Sequence, residues 1–345
     1  MASITAAPVT PVGGSFATNP SYSGTFIPTL WSAKLNAKFY AASTFADICN
    51  RDWEGDISNL GDKVVINNIP TLAISDYVVG GNLSYQTPTP NTIELAIDRA
   101  KYYGFNVSDV LDYQSKPDLM DMFTNDASEQ MRTVIDSTCL YRTLMTAESV
   151  AGKEDGTVAA NRGATAGRRS ASYNLGTDTA PVDFATPANA LQIILRMSSV
   201  LDEQNVPESG RWLLLDPATR LALMQSNLAQ AQFMGDDKSM VRNGLIGTID
   251  RFKVYVTNQL PFKVNGTTVW TSGDGTETSV AGTSHTVRVR LLAAGHTSAL
   301  SFASQMVKTE TLRNPTDFGD LVRGLQVFGH KATKGSALAT AIVTG

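Results

Sequence analysis

The sequence is poor in charge: Asp, Glu, Lys and Arg together make up 17% of its 345 residues, against roughly 25% in an ordinary soluble domain. A surface so thinly charged is weakly solvated by itself, which predicts that much of it is covered by further copies of the chain. Histidine is scarce. His285, His296 and His330 do not stand at the spacing of a helical zinc site, and no paired-cysteine motif accompanies them. The two cysteines, Cys49 and Cys139, lie in helix-like contexts. They read as small buried hydrophobes of a reducing compartment, not as a disulfide framework. No run of about eighteen apolar residues occurs, so no membrane span is expected. The opening residues Met1–Pro8 carry neither a basic nor an apolar signal-peptide region, which places synthesis and assembly in cytoplasm. The Asn-x-Ser/Thr matches at Asn82, Asn106 and Asn265 are then chance.

A net charge of −4, an isoelectric point near 5.4 and the lack of a basic stripe exclude sequence-specific nucleic-acid binding. They do not exclude a container for DNA, whose near-neutral wall lets the polymer be packed. Catalytic signatures are missing too. There is no Gly-x-Ser-x-Gly elbow, no Walker loop and no dinucleotide fingerprint. Gly273-Asp274-Gly275 sits in a polar excursion and not between a strand and a helix. Gly235-Asp236-Asp237 lacks the further acids of a two-metal site and reads as a solvated loop. No catalytic, cofactor-binding or metal residue is assigned, and no cofactor is expected.

What is present is a sequence of elements. Residues 1 to about 28 are rich in Pro, Gly, Ser and Thr without periodicity, as in an extended arm. Trp31, Leu35, Phe39 and Ala42 recur at helical spacing, and this helix is predicted to end near Phe45. Residues 52 to about 107 read as a long β-ribbon with a loose tip. Lys63-Val64-Val65-Ile66 and Tyr77-Val78-Val79 are strand-like, Gly80-Gly81-Asn82 supplies a turn, and Ile93–Asp98 alternates with period two. Such a ribbon is marginal alone and needs a surface to lie on.

Ser115-Lys116-Pro117-Asp118 is a helix start. The apolar positions from Leu119 to Met145 then predict some thirty residues of helix, roughly 45 Å long. Residues 150–183, rich in Gly, Ala, Thr and Ser with Arg162, Arg168 and Arg169, read as a flexible or surface loop. Thr186-Pro187 opens an amphipathic helix that stops at Asn205-Val206-Pro207. Arg211–Leu215 reads as a buried strand, and a short helix follows from Ala218 to Gln225, an α/β unit. Phe252–Val256 is a further strand, residues 264–284 are a polar excursion around Trp270, and the last third is strand-rich at 286–292, 299–302 and 321–328.

This order of elements resembles the α+β HK97-fold coat proteins of tailed bacteriophages, in the P22 coat-like group. The residues that carry the resemblance are Phe26-Ile27-Pro28 with Leu30-Trp31-Ser32, Gly61–Ile66, Asp126–Met131, Arg211–Pro217, and Asn243–Gly247 ahead of Phe252-Lys253-Val254. The resemblance covers most of the chain, and its specificity lies in the sum and order of these stretches. It implies an N-terminal arm and short helix over 1–50, an E-loop ribbon over 51–107 and a P-domain over 108–204. That P-domain holds the spine helix and an insertion at 150–183. An A-domain over 205–290 and a C-terminal return to the P-domain over 291–345 complete it.

The function implied is that of a major capsid protein: a non-enzymatic subunit that self-assembles into pentamers and hexamers of an icosahedral head enclosing double-stranded DNA. The implied location is the virion, after assembly in the host cytoplasm. A separate scaffolding protein and a portal protein are implied partners, with room for a decoration protein. Inter-subunit contacts are expected from Trp31 in the arm helix and from Lys63, Tyr77, Tyr85, Ile93 and Leu95 in the ribbon. Arg168 and Arg169 in the loop join them. Nothing marks Lys63 as activated by a nearby acid, so covalent crosslinking is not expected. The alternatives are an encapsulin-like compartment shell of the same fold and, in a different class, a secreted hydrolase or adhesin.

Overall fold

Arg211-Trp212-Leu213-Leu214-Leu215 forms a strand buried at every position, the pattern of a strand covered on both faces. It lies inside the larger of the sheets in the computed structural model, which describes residues 43–53, 63–68, 70, 72–77, 79–80, 82, 85–88, 91–108, 119–144, 157–184, 186–225, 247–264, 270–274, 288–316 and 318–344. The predicted helix from Trp31, the helix start at Ser115–Asp118, Gly235-Asp236-Asp237 and Asn243–Ile246 lie outside these residues.

In chain order the helices are α1 (Phe45–Ile48), α2 (Leu119–Leu144), α3 (Pro187–Glu203) and α4 (Pro217–Gln225). The first strands are β1 (Lys63–Asn68), β2 (Asn91–Ala96), β3 (Arg99–Ser108), β4 (Val182–Asp183) and β5 (Arg211–Leu215). Then come β6 (Thr248–Ile249), β7 (Phe252–Val256), β8 (Phe262–Val264) and β9 (Trp270–Thr271). The last four are β10 (Arg288–His296), β11 (Leu300–Arg313), β12 (Gly319–Ala332) and β13 (Leu338–Thr344).

The eight-stranded sheet runs β4-β13-β10-β5-β7-β6, with β8 paired to β10 and β9 to β8. Within it β5 is parallel to β7 and antiparallel to β10. Helix α3 starts as the sequence predicts, with Thr186 at the cap and Pro187 in the first turn, where the missing proline N–H leaves nothing unsatisfied. Its buried Ala190, Ile193, Ile194, Met197 and Leu201 join the core cluster formed with Leu213, Leu292 and Ala341. Strand β13 is buried at six of its seven positions although no strand is predicted there. Its Ala339, Thr340 and Ala341 have weak β-preference, and their small size lets α3 pack closely over the sheet.

Two expectations are corrected here. Residues 157–184 are not a flexible loop. Ala166, Leu175 and Phe184 are fully buried, the Asn161 amide donates to the Ser336 and Leu338 carbonyls at 2.8 Å each, and Ile342 N–H donates to Leu175 O. The small residues serve close approach: a Cβ on Gly176, at φ +85°, would fall 2.2 Å from the Ile342 carbonyl oxygen. The excursion around Trp270 likewise returns to the core. Trp270 is 1% exposed, and its indole N–H donates to Asp178 Oδ1 at 2.8 Å, a bond made across a sequence gap that periodicity cannot register.

Helix α2 spans 26 residues, about 39 Å at the helical rise. Every residue from Ile135 to Tyr141 is buried, whereas Asp121, Met122, Phe123 and Asn125 are exposed. The helix is thus rooted in the core at one end and projects from it at the other. The three-stranded sheet β11-β12-β3 lies along it, with Phe105 packed edge-on against Phe123 at 5.9 Å. At the rooted end α1 docks through Phe45, whose ring meets Phe302 edge-on at 5.5 Å. Helix α1 is a single turn, Phe45–Ile48; the helix expected from Trp31 to near Phe45 lies outside the described residues.

Candidate assembly surface

Period-two alternation in the ribbon has the pairing it predicts, over part of the expected length. Strands β1 and β2 are antiparallel, with Val64 opposite Leu95 and Ile66 opposite Ile93. Directly opposed residues share a face, so these four apolar side chains line one side. Beyond Ala96 the chain leaves the ribbon: β3 pairs with β12 from Ser108–Gly319 to Arg99–Phe328. The ribbon therefore ends near residue 96 and not 107, because β3 pairs with the long strand β12 and lies against α2.

The base of the ribbon is anchored. Leu95 and Ile97 are buried with Ala303 and Val327, and Trp53, Val64 and Ile66 pack against them. Glycine allows the approach: a Cβ on Gly329 would stand 2.3 Å from the Ala96 carbonyl oxygen. Leu95 is thereby removed from the expected inter-subunit contacts, since its side chain is 0% exposed within its own chain. Ile93 is partly covered. Lys63 is exposed and pairs with Glu94 at 3.1 Å, a diagonal surface pair of small energetic weight.

Away from the base the apolar side chains face solvent. Tyr77 and Tyr85, both expected contacts, are 71% and 87% exposed. Three further residues share the exposure and were not singled out in the sequence: Leu72 at 59%, Ile74 at 99% and Val79 at 87%. Their signal was there to be used, as large apolar residues in a stretch broken by Pro70, Gly80 and Pro88 with no periodicity to hide them. Scattered exposed hydrophobics need no explanation. This many within one short segment make an apolar patch of the kind found at interaction surfaces.

Arg168 and Arg169 are also exposed, on a turn tied to the end of α3. Glu203 Oε2 accepts from the Arg169 N–H at 2.9 Å and the Ser170 N–H at 3.3 Å. The Arg169 N–H bond is the main reason the Glu203 carboxyl titrates below its ordinary value. These arginines are far in sequence and sheet from the ribbon, so the expected contact residues form two surfaces and not one. Trp31 lies outside the described residues.

The family model for phage capsid protein matches residues 92–340, well over half of the chain. The chain belongs to the phage capsid protein family. Among solved structures, this capsid protein is similar to one from Mycobacterium phage Che8, with a TM-score of 0.65 and 22% identity over 92% of this chain and 97% of that one. It is similar to the capsid of cyanophage P-SCSP1u, with a TM-score of 0.63 and 15% identity over 96% and 98% of the two chains. The mature capsid of bacteriophage PhiM1 matches with a TM-score of 0.58 and 14% identity over 91% of each chain. At such identities the likeness is one of fold, and that fold is HK97-like. No curated protein sequence matches the chain. The capsid protein is a structural subunit of an icosahedral phage head, and its place is the virion shell. No helix among the described residues is long and apolar enough to cross a membrane.

Proposed function

We propose that the ribbon of residues 63–96 is the element by which each capsid protein laps onto a neighbour, and that pentamers and hexamers built this way enclose double-stranded DNA. The observation that carries this reading is the contrast along one hairpin. Leu95 at its base is fully buried, and Ile74 beyond it is 99% exposed. A two-stranded ribbon with an uncovered apolar tip is marginal in water, and a neighbour's surface removes both the exposed area and the unpaired edges. Each contact is moderate, and repetition around a closed shell multiplies it. The role is structural and not catalytic. A scaffolding protein and a portal protein complete assembly in the host cytoplasm, and the DNA is held without sequence readout, in keeping with a net charge of −4. The expected division into arm, ribbon, P-domain and A-domain remains part of this proposal, with β3 grouped with β11 and β12.

The test is replacement of residues 70–90 by a short turn, followed by negative-stain microscopy of the purified protein with and without the candidate scaffold. A soluble body that no longer closes into shells is expected. Normal shells from this variant would remove the ribbon from the assembly contact.

A further inference from the structure

Asp136 lies in the rooted half of α2 and is 2% exposed. One of its oxygens does all the work seen. Oδ1 accepts from Ser43 Oγ at 3.1 Å, from the Thr44 N–H at 3.1 Å and from the Phe45 N–H at 2.6 Å. The bonds to Thr44 and Phe45 satisfy backbone donors at the start of α1, which leave a helix terminus unpaired unless capped from elsewhere. Thr44 makes no capping bond with its own side chain, so the cap comes from α2, across more than ninety residues of sequence. Oδ2 is buried without a hydrogen-bond partner.

Beside it lies a cavity of about 390 Å³, lined by Asp136 together with Ser43, Arg51, Met131, Phe302 and Gln326. The charged groups around the carboxylate do little to neutralise it. On α1 there is Asp47, whose charge acts against ionisation of Asp136. On the segment after α1 stand the buried Cys49 thiol and the exposed Arg51. On α2, Arg132 is held by Glu129 at 3.0 Å. The lining residues from β11 and β12, Phe302, Ser304 and Gln326, carry no charge.

We propose that Asp136 is a proton-sensitive clasp between the turn at residues 43–48 and the long helix, closed most firmly when its carboxyl is neutral and loosened when it ionises. A buried carboxylate with one oxygen unpartnered is costly to charge. In agreement, burial, acting against the hydrogen bonds to Oδ1, lifts its pKa from 3.8 to about 6. A carboxyl whose folded pKa is raised stabilises the closed form below its ordinary pKa and loses that stabilisation as pH rises towards the folded value. The pH window is therefore about 4 to 6, and the clasp is at its weakest at neutral pH. The turn at residues 43–48 is then a hinge released by ionisation, with the cavity as the route for the proton.

Hydrogen exchange of the unassembled full-length protein tests this without requiring shells to form. Protection of the peptide spanning residues 43–49 is compared with that of α3, after correction for intrinsic exchange. Its protection is expected to fall about tenfold between pH 5 and pH 7 while α3 stays constant, the change that a shift from 3.8 to about 6 produces over that interval. Asp136→Asn keeps an acceptor for all three donors and removes the charge, so it should be flat with pH and at least as protected at pH 7. Asp136→Ala should lose protection at both. A flat wild type, a sloping Asp136→Asn, or an Asp136→Asn chain that does not fold would each overturn the clasp.

Discussion

The central sheet and the ribbon are both β-structure carrying large apolar side chains, yet they use them in opposite ways. In the sheet, Trp212, Leu213, Leu214 and Leu215 are at most 2% exposed, covered by α3 on one side and knitted to β10 and β7 at both edges. In the ribbon, Val65 is 53% exposed and Ile74 is 99% exposed, and the two strands pair only with each other. Burial of apolar area is the main stabilising term in folding and in association alike. The sheet spends it inside one chain. The ribbon leaves it exposed, and in the proposed function that area is covered when chains meet. A capsid protein must be both a stable body and an incomplete one, and on the proposed function these two regions divide the tasks.

Substitutions can break that comparison at different depths. Trp212→Ala removes the largest side chain of the central strand and should destabilise the monomer by about 3–5 kcal/mol, read as a shift in denaturant midpoint. A change below about 1 kcal/mol would mean that the sheet is not the stable body. Gly329→Ala places a methyl against the Ala96 carbonyl. It should cost about 1–3 kcal/mol as overpacking does and should make residues 91–97 susceptible to protease while the central sheet stays resistant. Equal loss in both regions would show that ribbon and body are one cooperative unit. Ile74→Ser combined with Tyr85→Ser should leave the melting of the unassembled chain within about 0.5 kcal/mol, as exposed sites do. Sedimentation should nevertheless show that shells no longer form. A large drop in monomer stability would place these side chains in the body and not in reserve. The smallest effect is expected from Lys63→Ala. Its exposed pair with Glu94 is worth at most about 1 kcal/mol, and thermal melts should barely move.

Where a residue's neighbours in sequence decided its environment, the sequence was legible. Thr186-Pro187 marked the start of α3, the run 211–215 marked a buried strand, and period two in 93–98 marked a ribbon strand, because helix and strand periods put side chains on predictable faces. The element order and the resemblance to HK97-fold coat proteins followed from these stretches. Long-range contact was not legible. Residues 157–184 look loose by composition and are held by β13 and by Asn161. Trp270 sits in a polar stretch and is sealed by Asp178. Leu95 carries the alternation of an exposed ribbon and is covered by its own chain's Val327. The cap on α1 is supplied from α2.

By itself, then, the sequence determined the kinds of element, their order and a surface too poor in charge to stand alone. Only the tertiary structure decided which apolar residues are buried within the chain and which stay exposed. Hydrophobicity and period are properties of a residue and its near neighbours, whereas burial depends on whichever distant strand or helix comes to lie against it.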